Sequence, residues 1–164
     1  NSMWFYFFFF SNHKSNKMKL LKSGLILSVF AIFLISCKTV AQNSNIKSIS
    51  YTNTYGRGGL TTVKVTKEAI ETEGRGGNVT DFPNYSKKMT AADWNSLTAG
   101  LDLKMLSQTK SGERRGVYDG HDEIFRIVTA EKEYEIFNAS GDAKNYKQLE
   151  KLKTKLTALT AKYK

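Results

Sequence analysis

Two identical glycine-rich segments carry the first hint of chemistry. Gly56-Arg57-Gly58-Gly59 and Gly74-Arg75-Gly76-Gly77 begin 18 residues apart. Successive backbone N–H groups in such turns can face an anion, and the forked guanidinium groups of Arg57 and Arg75 can grip a carboxylate or phosphate. No Lys-Ser/Thr pair follows either segment, so neither is a P-loop. The plainer reading gives the glycines to turns that need positive φ and leaves the arginines solvated. If 60–66 and 69–73 pair as a hairpin, both segments fall at the same end of it.

A second candidate is Asp119-Gly120-His121-Asp122-Glu123, preceded by Arg115. Three carboxylates and the one histidine that follows residue 37 could hold a divalent cation or form an acid–base pair. The spacing is neither that of a calcium loop nor that of a zinc site, and no nucleophile stands beside His121. The plainer reading is a loop entering a strand, with Asp119 turned back on Arg114 or Arg115. No catalytic residue, metal ligand set or cofactor follows from these residues. Arg57, Arg75, Arg115, Asp119, His121 and Asp122 remain as candidate ligand-binding residues.

The first 42 residues follow different rules. An aromatic run occupies 4–10 and a polar patch 11–17. From Met18 come Lys19 and Lys22, an apolar run over 25–35 broken only by Ser28, and then Ser36-Cys37. Charge, short apolar core and small residues in this order make an export signal. A core of about a dozen residues falls short of the ~20 that a membrane-spanning helix needs. The expected start is Met18, with 1–17 an upstream leader, 18–36 the signal and 37–45 a tether. Leu34-Ile35-Ser36-Cys37 resembles a bacterial lipobox, which implies a lipid thioether on Cys37 and a mature chain that begins there. Cys37 is the only cysteine, so an internal disulfide has no partner. Stable anchoring needs more than one acyl chain, at roughly 0.8 kcal/mol per buried CH₂. The alternative is an ordinary signal peptide cut after Ala41.

Charge changes meaning once the signal is set aside. The whole chain has 25 basic and 15 acidic residues, net +10. Without Lys14, Lys17, Lys19 and Lys22, 21 basic residues face the same 15 acids, net +6, with the signs interspersed. Export and the lack of an aromatic-plus-basic platform argue against a nucleic-acid partner. A basic surface suits anionic lipid headgroups or cell-wall polymers.

The segment 46–164 has enough residues for one modest core. Strands are expected over 46–55, 60–66 and 69–73, with glycine turns after the first and the last. The stretch 78–88 holds the only proline, Pro83, and reads as loop. Thr90 caps a helix with Asp93 at the capping-box position, and Trp94, Leu97 and Leu101 share one face. A weak strand is expected over 103–108 and a charged loop over 110–120. A second hairpin spans 123–129 and 132–138. Tyr146, Leu149, Leu152, Leu156 and Leu159 stripe a helix over 144–163, with Lys144, Lys147, Lys151, Lys153 and Lys155 as its wet face. Trp94, Tyr118, Phe125, Tyr134 and Phe137 are assigned to the core. The sum is an α+β domain: an antiparallel sheet of about five or six strands with two helices on one face.

Arg57-Gly58 after an early strand, Asp93-Trp94 inside a helix and Arg115-Gly-Val-Tyr-Asp-Gly120 together make 46–160 resemble a group of small exported lipoproteins of Bacteroidetes such as flavobacteria. Members often carry Asp-His-Gly-Asn-Pro-Pro after the last hairpin, where this chain reads Asn138-Ala-Ser-Gly-Asp142. The group has no assigned activity, so the resemblance implies export and fold and adds no chemistry. The leading expectation is a non-enzymatic outer-membrane lipoprotein, facing periplasm or surface, with a module that binds an envelope protein or cell-wall partner. An inhibitor of an exported lysozyme or protease, acting through 110–122, is a second. A small metal-binding or hydrolytic protein using 119–123 is a third. Globomycin treatment, or Cys37→Ala, abolishes the lipid-dependent mass shift and membrane retention; a mature chain beginning at Gln42 overturns the anchor.

Overall fold

The computed structural model describes residues 45–77, 79–116 and 120–164. The signal, Cys37, the tether as far as residue 44, Tyr118 and Asp119 lie outside the described residues. Strands β1 (Ile46–Tyr55), β2 (Leu60–Thr66), β3 (Ala69–Arg75) and β4 (Tyr85–Lys88) form an antiparallel meander. Helices α1 (Ala91–Thr98) and α2 (Leu103–Gln108) lead to β5 (His121–Thr129), which pairs with β1, and to β6 (Glu133–Phe137). A short 3-10 turn, Ala139–Gly141, precedes the long helix α3 (Ala143–Tyr163). The sheet order is β4-β3-β2-β1-β5-β6. The fold is α+β, an antiparallel sheet of six strands with helices on one face. No described helix is long and apolar enough to cross a membrane.

Strand alternation builds the core in rows. Ile70, Val65, Ile49, Ile127 and Tyr134 stand side by side across the sheet, and Thr72, Val63, Tyr51, Phe125 and Ile136 form the next row. Against these rows α3 lays Leu149, Leu152 and Leu156, each at most 1% exposed. Burying such a side chain contributes roughly 1.5–3 kcal/mol. Trp94 and Leu97 of α1, with Leu106 of α2, complete the same core. The opposite sheet face carries Ser50, Thr52, Thr62, Lys64, Glu71 and Arg126 at alternating positions and stays wet, as antiparallel sheets permit.

The cap of α1 is more elaborate than a two-residue box. Thr90 Oγ1 accepts from the Asp93 amide at 3.2 Å, while the Thr90 amide donates to the Tyr163 hydroxyl at 3.1 Å. That hydroxyl donates to Asp93 Oδ2 at 2.7 Å, so a side chain of α3 closes the box.

Four expectations are corrected. The segment 103–108 is helical rather than a strand. Asp102 caps it by accepting from the Lys104 and Met105 amides at 2.9 and 3.1 Å, and Leu103 and Leu106 lie three apart on one face. The stretch 78–88, expected as loop, ends in the edge strand β4. Pro83 sits just outside the ladder, where its missing N–H costs nothing, and Thr72 donates to its carbonyl at 2.7 Å. Phe137 is not core: it points to the wet face, pairs with Ile124 and lies under the Arg114 guanidinium at 5.0 Å. Lys153 does not belong to the wet face of α3, because its ammonium meets a buried carboxylate.

Leu152→Ala should lower unfolding free energy by about 2–5 kcal/mol. Exposed Lys151→Ala should stay within about 0.5 kcal/mol. Urea melts of the two variants test the assigned face, and equal losses would contradict it.

Candidate functional site

His121, Asp122 and Glu123 are consecutive residues of β5, so their side chains alternate between sheet faces. His121 and Glu123 look toward the helices, and Asp122 looks toward the wet face. His121, Asp122 and Glu123 therefore do not converge as a metal or acid–base centre, and Asp119 lies outside the described residues. Among the described residues no three His, Cys, Asp or Glu side chains gather to hold an ion.

Asp122 organises the wet side. It is 1% exposed. Its Oδ1 accepts from the Arg115 amide at 2.7 Å and from Asn138 Nδ2 at 2.6 Å. Its Oδ2 accepts from the Gly116 amide at 2.9 Å and from Arg114 Nε at 3.2 Å. Burial alone would raise its pKa, but these donors overcome that and hold the carboxyl well below the usual range. Asn138, at φ 49°, spends its side chain as a staple that donates both to Asp122 and to the Glu113 carbonyl. Asp122 thus holds the 115–116 backbone against β5, while Asp119 lies outside the described residues.

Beside this anchor lies a cleft of about 700 Å³ lined by Thr54, Gly59, Arg57, Arg75, Arg114 and Asp122, among others. The two Gly-Arg-Gly-Gly segments meet here because Leu60 pairs with Arg75. Gly59 and Gly76 (φ 115° and 108°) then face each other so closely that a Cβ on Gly76 would stand 2.4 Å from Gly59 Cα. Arg75 Nε also meets Glu73 at 2.9 Å, and Arg114 Nη1 lies 3.7 Å from Glu135. Both are exposed pairs worth about 0–1 kcal/mol, which a ligand can outcompete. Arg115 contributes its amide and carbonyl; the guanidinium that lines the cleft belongs to Arg114. Sequence reasoning named Arg114 only as an anchor for Asp119. Asn138 gave no signal of its own.

On the helix side Glu123 is 8% exposed and also fully engaged. Tyr51 and Lys153 donate to its Oε1 at 3.0 and 2.7 Å, and Tyr146 to its Oε2 at 2.7 Å. Burial opposes ionisation, but the Lys153 ammonium and the two hydroxyls keep the pKa below the ordinary glutamate value. The same carboxylate raises the Lys153 pKa. For Tyr146, burial is the leading cause of a raised pKa and Glu123 adds to it.

No protein-family model matches the chain, and no curated protein matches it significantly.

Both carboxylates have folded pKa values below their unfolded ones, so the unfolded chain binds more protons in acid. Their stabilisation is complete above about pH 5 and is lost as pH falls through and below ~4. The melting temperature should drop steeply from pH 5 to pH 2. Asp122→Asn should cost about 3 kcal/mol at pH 7 and flatten that acid slope. A parallel slope in the variant would show that Asp122 is not one of the titrating groups.

Proposed function

We propose that the protein is an exported envelope lipoprotein, held to the membrane through Cys37, whose domain is a non-enzymatic binding module for an anionic group. The observation that carries this reading is the gathering of Arg57, Arg75 and Arg114 at one cleft from three separate segments. The acid that shares the cleft is already spent: Asp122 accepts four hydrogen bonds and is a poor general base at neutral pH. His121 stands on the other face, so neither supplies proton transfer there. Three guanidinium groups and glycine backbone line the cleft, a combination suited to the phosphate or carboxylate of a lipid headgroup or cell-wall polymer.

Binding to vesicles of anionic lipid and to a soluble acidic cell-wall polymer should be measured beside zwitterionic vesicles, at two salt concentrations. The expected result is binding to at least one anionic probe that weakens with salt. Arg57→Gln with Arg75→Gln should weaken it about tenfold or more, at 1.5–3 kcal/mol per charged hydrogen bond. Equal binding to neutral vesicles, or affinity untouched by the double substitution, refutes the cleft as the site.

A further inference from the structure

A second concavity lies on the opposite side of the sheet, between β1–β2 and the C-terminal half of α3. Its volume is about 380 Å³, inside the ~300–1,000 Å³ of ordinary small-ligand sites. It opens where the core rows stop. The row beyond Val63–Tyr51–Phe125 is polar: Gly74, Thr61, Asn53 and Glu123 pair across four strands. One step further Tyr55 pairs with His121.

Three side chains of this groove keep capacity for a ligand. Thr61 is 7% exposed, and its hydroxyl makes no hydrogen bond among the described residues. A buried polar group left unsatisfied costs about 1–3 kcal/mol. Asn53 Oδ1 lies 3.1 Å from the Tyr51 hydroxyl, while its Nδ2 has no protein partner among the described residues. Among the described residues Tyr55 is the large hydrophobic side chain that remains exposed, at 42%, with the His121 ring 5.3 Å away to steady it. Lys153 lines the wall and spends one of its three donors on Glu123. Phe82 and Pro83 make the far side apolar.

We propose that this groove is a second binding site, independent of the arginine cleft, and that it takes a pyranose unit of an envelope glycan. An aromatic platform beside unspent amide, hydroxyl and ammonium groups matches a ring with C–H faces and a rim of hydroxyls. A purely apolar ligand would leave the Thr61 hydroxyl and the Asn53 Nδ2 without a partner in the complex. Tyr55 supplies the stacking face, and Thr61 exchanges donor and acceptor roles with a sugar hydroxyl.

The test titrates the full chain with two neutral probes, N-acetylchitotriose and maltotriose, by calorimetry and by saturation-transfer NMR. At least one binds. Tyr55→Ala weakens it tenfold or more with an unchanged melting temperature, because that side chain is exposed. Thr61→Val weakens it about fivefold and leaves the melting temperature equal or higher, since an orphaned hydroxyl is gone. No saturation transfer from either probe overturns the proposal, as does binding that survives both substitutions. The probes carry no charge, so their failure leaves the anion reading untouched, and failure of the anionic probes leaves this one untouched.

Discussion

Asp122 and Glu123 are neighbours in the chain, and the pleat of β5 sends them to opposite faces of one sheet. Each is buried, and each is satisfied by donors from elements distant in sequence. Asp122 holds the Arg115 and Gly116 amides and the Arg114 guanidinium against β5. Glu123 receives Tyr51 from β1 and Tyr146 and Lys153 from α3. A buried carboxylate with half its partners is a liability, whereas one with all of them fixes a single arrangement. The pair therefore locates both the loop that completes the basic cleft and the helix that walls the groove.

The two concavities differ in the forces they offer. The cleft on the wet face is open, cationic and built largely from turns, so attraction there is long-ranged and screened by salt. The groove beside α3 is smaller, aromatic at its mouth and uncharged apart from Lys153 and Lys164. Recognition there depends on contact and on hydrogen bonds in a partly dry space. One domain thus presents an electrostatic surface and a contact surface on opposite sides of a single sheet.

Much of the fold was legible because periodicity is a local property. Strand limits at 46–55 and 60–66 and the leucine stripe of α3 follow from alternation and from spacing of three and four. The short elements escaped for physical reasons. At 103–108, six residues offer less than two turns of pattern, and the decisive signal was the single Asp102 cap. At 85–88 an edge strand buries only part of Tyr85, so its sequence looks like loop. The meeting of Arg57 with Arg75 was readable from the hairpin register. The separation of Asp122 from His121 needed only the decision that the strand begins at 121 instead of 123. That Asn138 staples Asp122 and Lys153 caps Glu123 was not readable, because each joins residues 16 and 30 positions apart.

The contact between Gly59 and Gly76 has a consequence for how this surface can change. The distance between the two turns is set by main chain touching main chain, and a side chain at either glycine would collide with it. Arg75 enters that contact through its carbonyl, not through its guanidinium. Frame and fitting are thus separate. The frame tolerates almost no variation, while the side chains at 57 and 75 reach out from it to line the cleft. Glutamates placed there would turn the cleft toward cations, and aromatic residues toward stacked rings. As a starting point for engineering, the hairpin end is a rigid mount with two exchangeable heads.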